Sequence, residues 1–473
     1  MHPLIIFIYQ AVKMQASSKK VLSVFSLVMI NVIAVDSLRT LPMSAILGLP
    51  LIFYYLFAAI TFFIPVALVA AELATTYPKT GGLYVWVREA FGLKAGFMTI
   101  WLQWIYNVVW YPTILAFIVS NSSYLFAPSL ANNAYYLLVT SIILFWLFTV
   151  LNAFGMKLSG FISTVSAILG TIFPMSFIII LGIVWLIQGK PLALDVHASW
   201  IPTFTTFSQF SLLPGILFGL LGMEMSAVHA EEVKNPQRDY PKALLYSTII
   251  IFSTLMFASL AITLVVSPAH LSVVSGLIDA YALFFNAFHF PWFTQIIALL
   301  IIIGALGGVS AWIIGPTKGL LAAAQDGSLP ASLSKVNRHG APVRILVLQG
   351  CIFTLLCLVF KLFDNVNASY WLLSDLSAQM ALAVYVIMFA AAIKLRYKHP
   401  DIHRPYRIPG PNFVMNIVAG VGLLCCLGAI IIGFVPPDQI PIQHIWMFEG
   451  FLFGGLFVFM GLPWLWIKKR STA

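Results

Sequence analysis

Apolar stretches about twenty residues long recur along the whole chain, separated by short polar turns. A helix needs roughly 20 apolar residues to cross the hydrocarbon core of a bilayer. With that ruler the pattern predicts about twelve spans, near 22–47, 51–74, 96–122, 135–154, 160–187, 207–230, 243–267, 292–324, 344–360, 371–393, 412–435 and 445–467. Turn formers mark the boundaries, among them Gly81-Gly82, Pro268, Pro330, Pro342, Pro409-Gly410 and Pro436-Pro437. At the start, the short run Leu4 to Ile8 comes before Lys13, Lys19 and Lys20, the reverse of a secretion signal. Residues 1–20 therefore read as a cytoplasmic tail, and 468–473 as a second one.

Composition agrees with the pattern. Of 473 residues 61% are hydrophobic and 8% are charged, where soluble domains carry about a quarter charged. The net charge of +10 would suit nucleic acid only on one continuous basic face. Here the basic residues fall in loops of one side, from Lys79, Arg88 and Lys94 through Arg238, Lys335 and Arg404 to Lys468-Lys469-Arg470. The other side receives Lys190 and Lys361, and loops 123–134, 268–291 and 436–444 hold no Lys or Arg. The positive-inside rule then places both termini in the cytoplasm. Cys351, Cys357, Cys425 and Cys426 all lie in apolar segments, so no disulfide, metal site or cofactor is expected.

Two spans carry charge where a bilayer disfavours it. The first contains Ile33, Asp36, Ser37 and Arg39, and the sixth contains Gly215, Gly219, Gly222 and Glu224. Each is followed by Met-Ser-Ala, at Met43 to Ala45 and at Met225 to Ala227. That placement suits a five-plus-five inverted repeat, 21–191 and 207–397, with 411–467 added behind it. A central charge costs at least ~2.5–3.5 kcal/mol on insertion scales, so it faces a partner or a wet cavity. Broken helices there would offer free N–H and C=O groups to a carboxylate or an ammonium. The alternative is an Asp36–Arg39 pair at i,i+3 that neutralises itself. His229, Glu231 and Glu232 lie beside Lys234 and Arg238, which favours gate salt bridges or a solvated end over a metal site. Gly304, Gly307 and Gly308 suggest close helix packing first and cavity lining second. Asp375 reads as a gate or as a solvated helix start.

The run from Gly222 to Pro241, containing Glu224, His229, Glu231-Glu232 and Asn235-Pro236, resembles the sixth-span signature of the amino acid–polyamine–organocation superfamily. More closely it is similar to the bacterial glutamate/GABA antiporters. Phe63 to Glu72, Gly81 to Trp86, Ala311 to Gly319, and Lys398 to Gly410 carry the likeness along nearly the whole chain. The resemblance implies an all-α membrane protein of about twelve helices, the first ten in a LeuT-type 5+5 inverted repeat. It implies that Glu224 senses protons on the cytoplasmic path, that Tyr385 meets a substrate carboxylate or gates access, and that Trp312 gates or packs the core. Asp36-Ser37-Leu38-Arg39 stands where those antiporters carry Tyr-Glu-Tyr-Pro, Gly308 where they carry a glutamate, and Thr164 about where some proton-coupled relatives carry a lysine. The C-terminal plug has no counterpart. These departures bear directly on substrate and on acid gating.

The reading that follows is an amino-acid or amine exchanger of a bacterial inner membrane, a monomer or homodimer. Its candidate substrate residues are Ile33, Asp36, Ser37, Arg39, Gly219, Gly222 and Tyr385. Its candidate gating residues are Glu224, Trp312, His229 and Glu231. A proton- or sodium-coupled symporter and a non-transporting sensor are the rivals. No phosphate-binding loop, nucleophile elbow or His-rich cluster points to an enzyme.

Overall fold

The computed structural model describes residues 22–79, 82–154, 166, 168–202, 210–226, 233, 235–363, 365–437 and 445–470. His229 and Glu231 lie outside the described residues. Among the described residues the chain is all-helical, and an isolated bridge between Leu22 and Val233 is the only β pairing.

Helix α1 (Val24–Val35) opens on Ser23, whose hydroxyl accepts the Ser26 amide at 3.3 Å and so occupies a donor that helix starts leave unpaired. It stops at Asp36, which leaves helical geometry at φ −76°, ψ 82°. The chain resumes in α2 (Thr40–Ala45). Next come α3 (Leu51–Thr76), α4 (Leu83–Phe91), α5 (Leu93–Ser123), α6 (Ala134–Ala153) and α7 (Ile168–Ile187). The sixth span begins as α8 (Leu213–Gly219) and breaks there. Beyond it run α9 (Pro236–Val265), α10 (Gly276–Ala287), α11 (Phe293–Gln325), α12 (Val343–Leu362), α13 (Val366–Lys398), α14 (Asn412–Ile432) and α15 (Ile445–Arg470). Nine of the described helices are long and apolar enough to cross a membrane. The short α4 and α10 fell below the twenty-residue ruler, so the apolar pattern alone did not announce them.

Burial sorts the helices. The apolar stretch of α5 is wholly buried, which makes it the central post. At the other extreme α14 and α15 present Leu424, Ile431 and Phe457 outward, Phe457 at 83% exposure. Rings and branched chains so exposed belong in lipid, where no hydrophobic penalty attaches to them.

Gly170, in the π-turn of α7, meets Gly304 of α11 backbone to backbone, and Gly307 sits against Ser166. The predicted close packing therefore holds at Gly304 and Gly307, whereas Gly308 faces open space. Asp375 is not a solvated helix start. α13 begins earlier, at Val366 with Asn365 as its cap, so Asp375 lies more than two turns inside, 1% exposed. There it accepts from Gln379 Nε2 at 3.2 Å.

One ion cluster ties the helix ends together. Glu72 of α3 takes both forks of Arg396 of α13, at 2.6 and 2.5 Å, with Arg404 Nε at 3.4 Å. It also accepts the Ile408 amide at 2.8 Å, while Arg396 reaches Asn412 at the head of α14. Glu72 and Arg396 are each 2% exposed. Removing one partner of such a pair leaves a bare buried charge and costs about 3–5 kcal/mol. Glu72→Ala should therefore lower the thermal unfolding temperature of the detergent-purified protein markedly. An unchanged transition would show that the cluster contributes no stability.

Candidate functional site

The two interrupted helices meet. Gly222, in the left-handed region at φ +113°, lies so close to α1 that an added Cβ would stand 3.3 Å from the Ala34 carbonyl and 3.4 Å from the Trp312 ring. Gly219 faces Thr40 in the same way. Glycine is required here because L side chains avoid positive φ and the two backbones must touch.

At the first break the Asp36 carboxylate turns to the Thr254 hydroxyl, and the Thr40 side chain takes a backbone carbonyl that a continuing helix would use. Ser37 O accepts the Thr40 hydroxyl at 2.7 Å, which closes a turn instead of a helix. The second break is held open by Tyr385 of α13. Its hydroxyl accepts the Gly222 amide at 2.9 Å and donates to Glu224 Oε2 at 2.5 Å. Glu224 and Tyr385 are both buried, at 3% and 1% exposure. The tyrosine hydroxyl thus gives its one proton to Glu224 and takes the Gly222 amide.

Between the breaks lies a cavity of about 40 Å³, lined by Val35, Ser37, Arg39 and Thr40 of the first span, by Phe218 and Gly219 of the sixth, and by Asn107, Trp110 and Trp312. A space of that size takes a few waters. The Arg39 guanidinium forms one wall. Its Nη1 donates to Thr113, Tyr370 and Ser374, each at 3.3 Å, and the rings of Phe218, Tyr370 and Trp110 lie 5.4, 5.8 and 5.9 Å from its carbon. Ser374 and Tyr385 are eleven residues apart on α13, so their backbone positions lie about 16 Å apart along the helix.

Ser37, Arg39, Gly219 and Trp312 therefore meet at one cavity, with Gly222 beside it and Tyr385 and Glu224 behind. Two candidates are not there. Ile33 is half-buried on α1, and Ala34 and Val35 line the cavity instead. Asp36 faces the other way and accepts the Thr254 hydroxyl of α9 at 2.9 Å. The break rotates Asp36 and Arg39 to opposite sides, so they are not the self-neutralising pair that i,i+3 spacing allows on an intact helix. The sequence reading missed Asn107, Trp110 and Thr113 of α5, and Tyr370 and Ser374 of α13. Their signal was present: Gln103, Tyr106, Asn107, Trp110 and Thr113 follow the three-and-four spacing of one helix face.

Comparison with known proteins fits this geometry. The sequence matches the amino acid permease family over residues 20–457. It is 65% identical over 454 residues to a protein of Legionella pneumophila named as an uncharacterized transporter, covering 96% of this chain and 98% of that protein. It is 31% identical over 431 residues to a glutamate/gamma-aminobutyrate antiporter of Lactococcus lactis, covering 89% and 85% of the two chains. A probable agmatine/putrescine antiporter of Lactococcus lactis is 24% identical over 424 residues, covering 89% of each. This multi-span membrane protein belongs to the amino acid permease family.

Proposed function

We propose that the chain exchanges amino acids or related amines across a bacterial inner membrane by alternating access, with both termini in the cytoplasm. The reading takes 21–191 and 207–397 as two inverted five-helix units, with 411–467 appended. The observation that carries it is the meeting of two broken helices at a buried cavity walled by Arg39. Substrate binds between the breaks, where Arg39 and the backbone N–H groups of Ser37 and Leu38, which take part in none of the described hydrogen bonds, offer donors. Trp110 and Phe218 close one side, and Glu224 with Tyr385 holds the other. Opening toward that second side requires the Gly222 amide and the Glu224 carboxylate to leave Tyr385.

A coupled symporter is the second reading, and one atom favours it. Asp36 Oδ1 is buried without a hydrogen-bond partner, as a carboxylate that takes up a proton or a small cation would be.

Counterflow in proteoliposomes separates the two. Vesicles preloaded with mixed unlabelled amino acids should accumulate labelled substrate in proportion to the internal load, with no imposed ion gradient. Accumulation that ignores the load and follows a proton or sodium gradient would replace exchange by symport.

The Glu224–Tyr385 latch has its own test. Tyr385→Phe and Glu224→Gln should each slow exchange by about tenfold, the equivalent of ~1.4 kcal/mol. The double variant should be no slower than the worse single one, because both act through one hydrogen bond. Losses that simply multiply would show two independent roles.

A further inference from the structure

We infer that the substrate docks a carboxylate on Arg39 and that amines lacking a carboxylate are excluded. The inference rests on the transport reading above and narrows its substrate class.

A guanidinium cannot discharge by losing a proton. The buried acids of the membrane core differ from it in this respect, since each can take one up. Arg39 is 2% exposed, and the polar partners described for it are three neutral hydroxyls at 3.3 Å, long for N–H···O bonds. Among the described residues no carboxylate is hydrogen-bonded or ion-paired to it. Asp36 has turned to Thr254, Asp375 is bonded by Gln379 and Glu224 by Tyr385. The rings of Trp110, Phe218 and Tyr370 hold the cation in place but bring no net charge to balance it.

The direction of the unused donors is equally telling. All three hydroxyl contacts fall on Nη1, while Nε is buried without a partner and Nη2 takes part in none of the described bonds. The Nε–Nη2 edge is one of the two along which a guanidinium grips a carboxylate with parallel hydrogen bonds. Arg39 lines the cavity while Nε itself is covered in this conformation, so a carboxylate takes that edge as the cavity widens around the guanidinium. A carboxylate there would satisfy the orphan donor and the uncompensated charge together. A diamine would instead place like charges side by side in a confined site, which rejects it.

The carboxylate could come from the α position or from a side chain, and four labelled compounds decide. Glutamate carries both, glutamine only the first, GABA only the second, and putrescine neither. In counterflow against a mixed amino-acid load, glutamate and at least one of glutamine and GABA should accumulate, with putrescine at background. Whichever single-carboxylate compound is accepted identifies the group that Arg39 takes. In Arg39→Gln, flux of the accepted compounds should fall by roughly a hundredfold, as when a buried polar partner is lost. Arg39→Lys should restore part of it, with size exclusion and thermal unfolding reporting whether each variant is folded. Putrescine exchanged as fast as the carboxylates by the unaltered protein would overturn the inference without any variant. So would a folded Arg39→Gln with unchanged flux. Load-dependent flux of other amino acids but of none of these four would also overturn it. Absence of counterflow for every compound overturns the transport reading, and this inference with it.

Discussion

Inside a bilayer every backbone N–H and C=O must find its partner within the protein, because lipid offers none. An unbroken helix meets that demand automatically. This chain interrupts two helices at the same depth, and much of the architecture answers the resulting debt. Ser37 and Thr40 close a turn at the first break. Tyr385 comes across from α13 to take the Gly222 amide at the second. Gly219 and Gly222 let the two breaks approach until backbone meets backbone. Around them the buried apolar stretch of α5 supplies the polar face that an irregular backbone needs as its neighbour.

Charge obeys the same logic with higher stakes. Glu72 is surrounded by Arg396, Arg404 and the Ile408 amide, and so forms a closed structural knot. The Arg39 layer is open, with a cation, three long hydroxyl contacts and an unused edge. The two sites contrast a charge closed in by opposite charge with one that meets neutral hydroxyls alone, as the proposed substrate docking requires.

How far the sequence announced this depends on which physics produced each feature. The spans were legible because crossing a bilayer imposes a length and an apolar pattern that any reading recovers. Breaks near Asp36 and Gly222 were legible because charge and glycine are conspicuous in an apolar helix. The side on which each residue emerges was not. Asp36 and Arg39 are neighbours on an intact helix, but the break sends one toward α9 and the other into the cavity, and spacing cannot report a lost helical phase. Asn107, Trp110 and Thr113 were overlooked for another reason. A polar and aromatic face on an otherwise apolar span looks like packing until a cavity is found beside it. The Glu72 knot joins residues more than three hundred positions apart, a pairing that no local pattern encodes.

The open charge would also give the proposed exchange a physical root. In the proposed exchange, a carrier without cargo would have to rearrange its two breaks around a guanidinium that no carboxylate of the described residues pairs. On insertion scales a bare charge at the bilayer centre costs at least ~2.5–3.5 kcal/mol, and a penalty of that order slows a rearrangement by roughly a hundredfold. A bound carboxylate removes it. On the proposed reading the loaded carrier would then pass through an occluded state more readily than the empty one, and each return trip would be fastest with a second substrate aboard. Obligate exchange in this view does not need a separate lock. It follows from leaving one wall of the site electrically incomplete until substrate completes it.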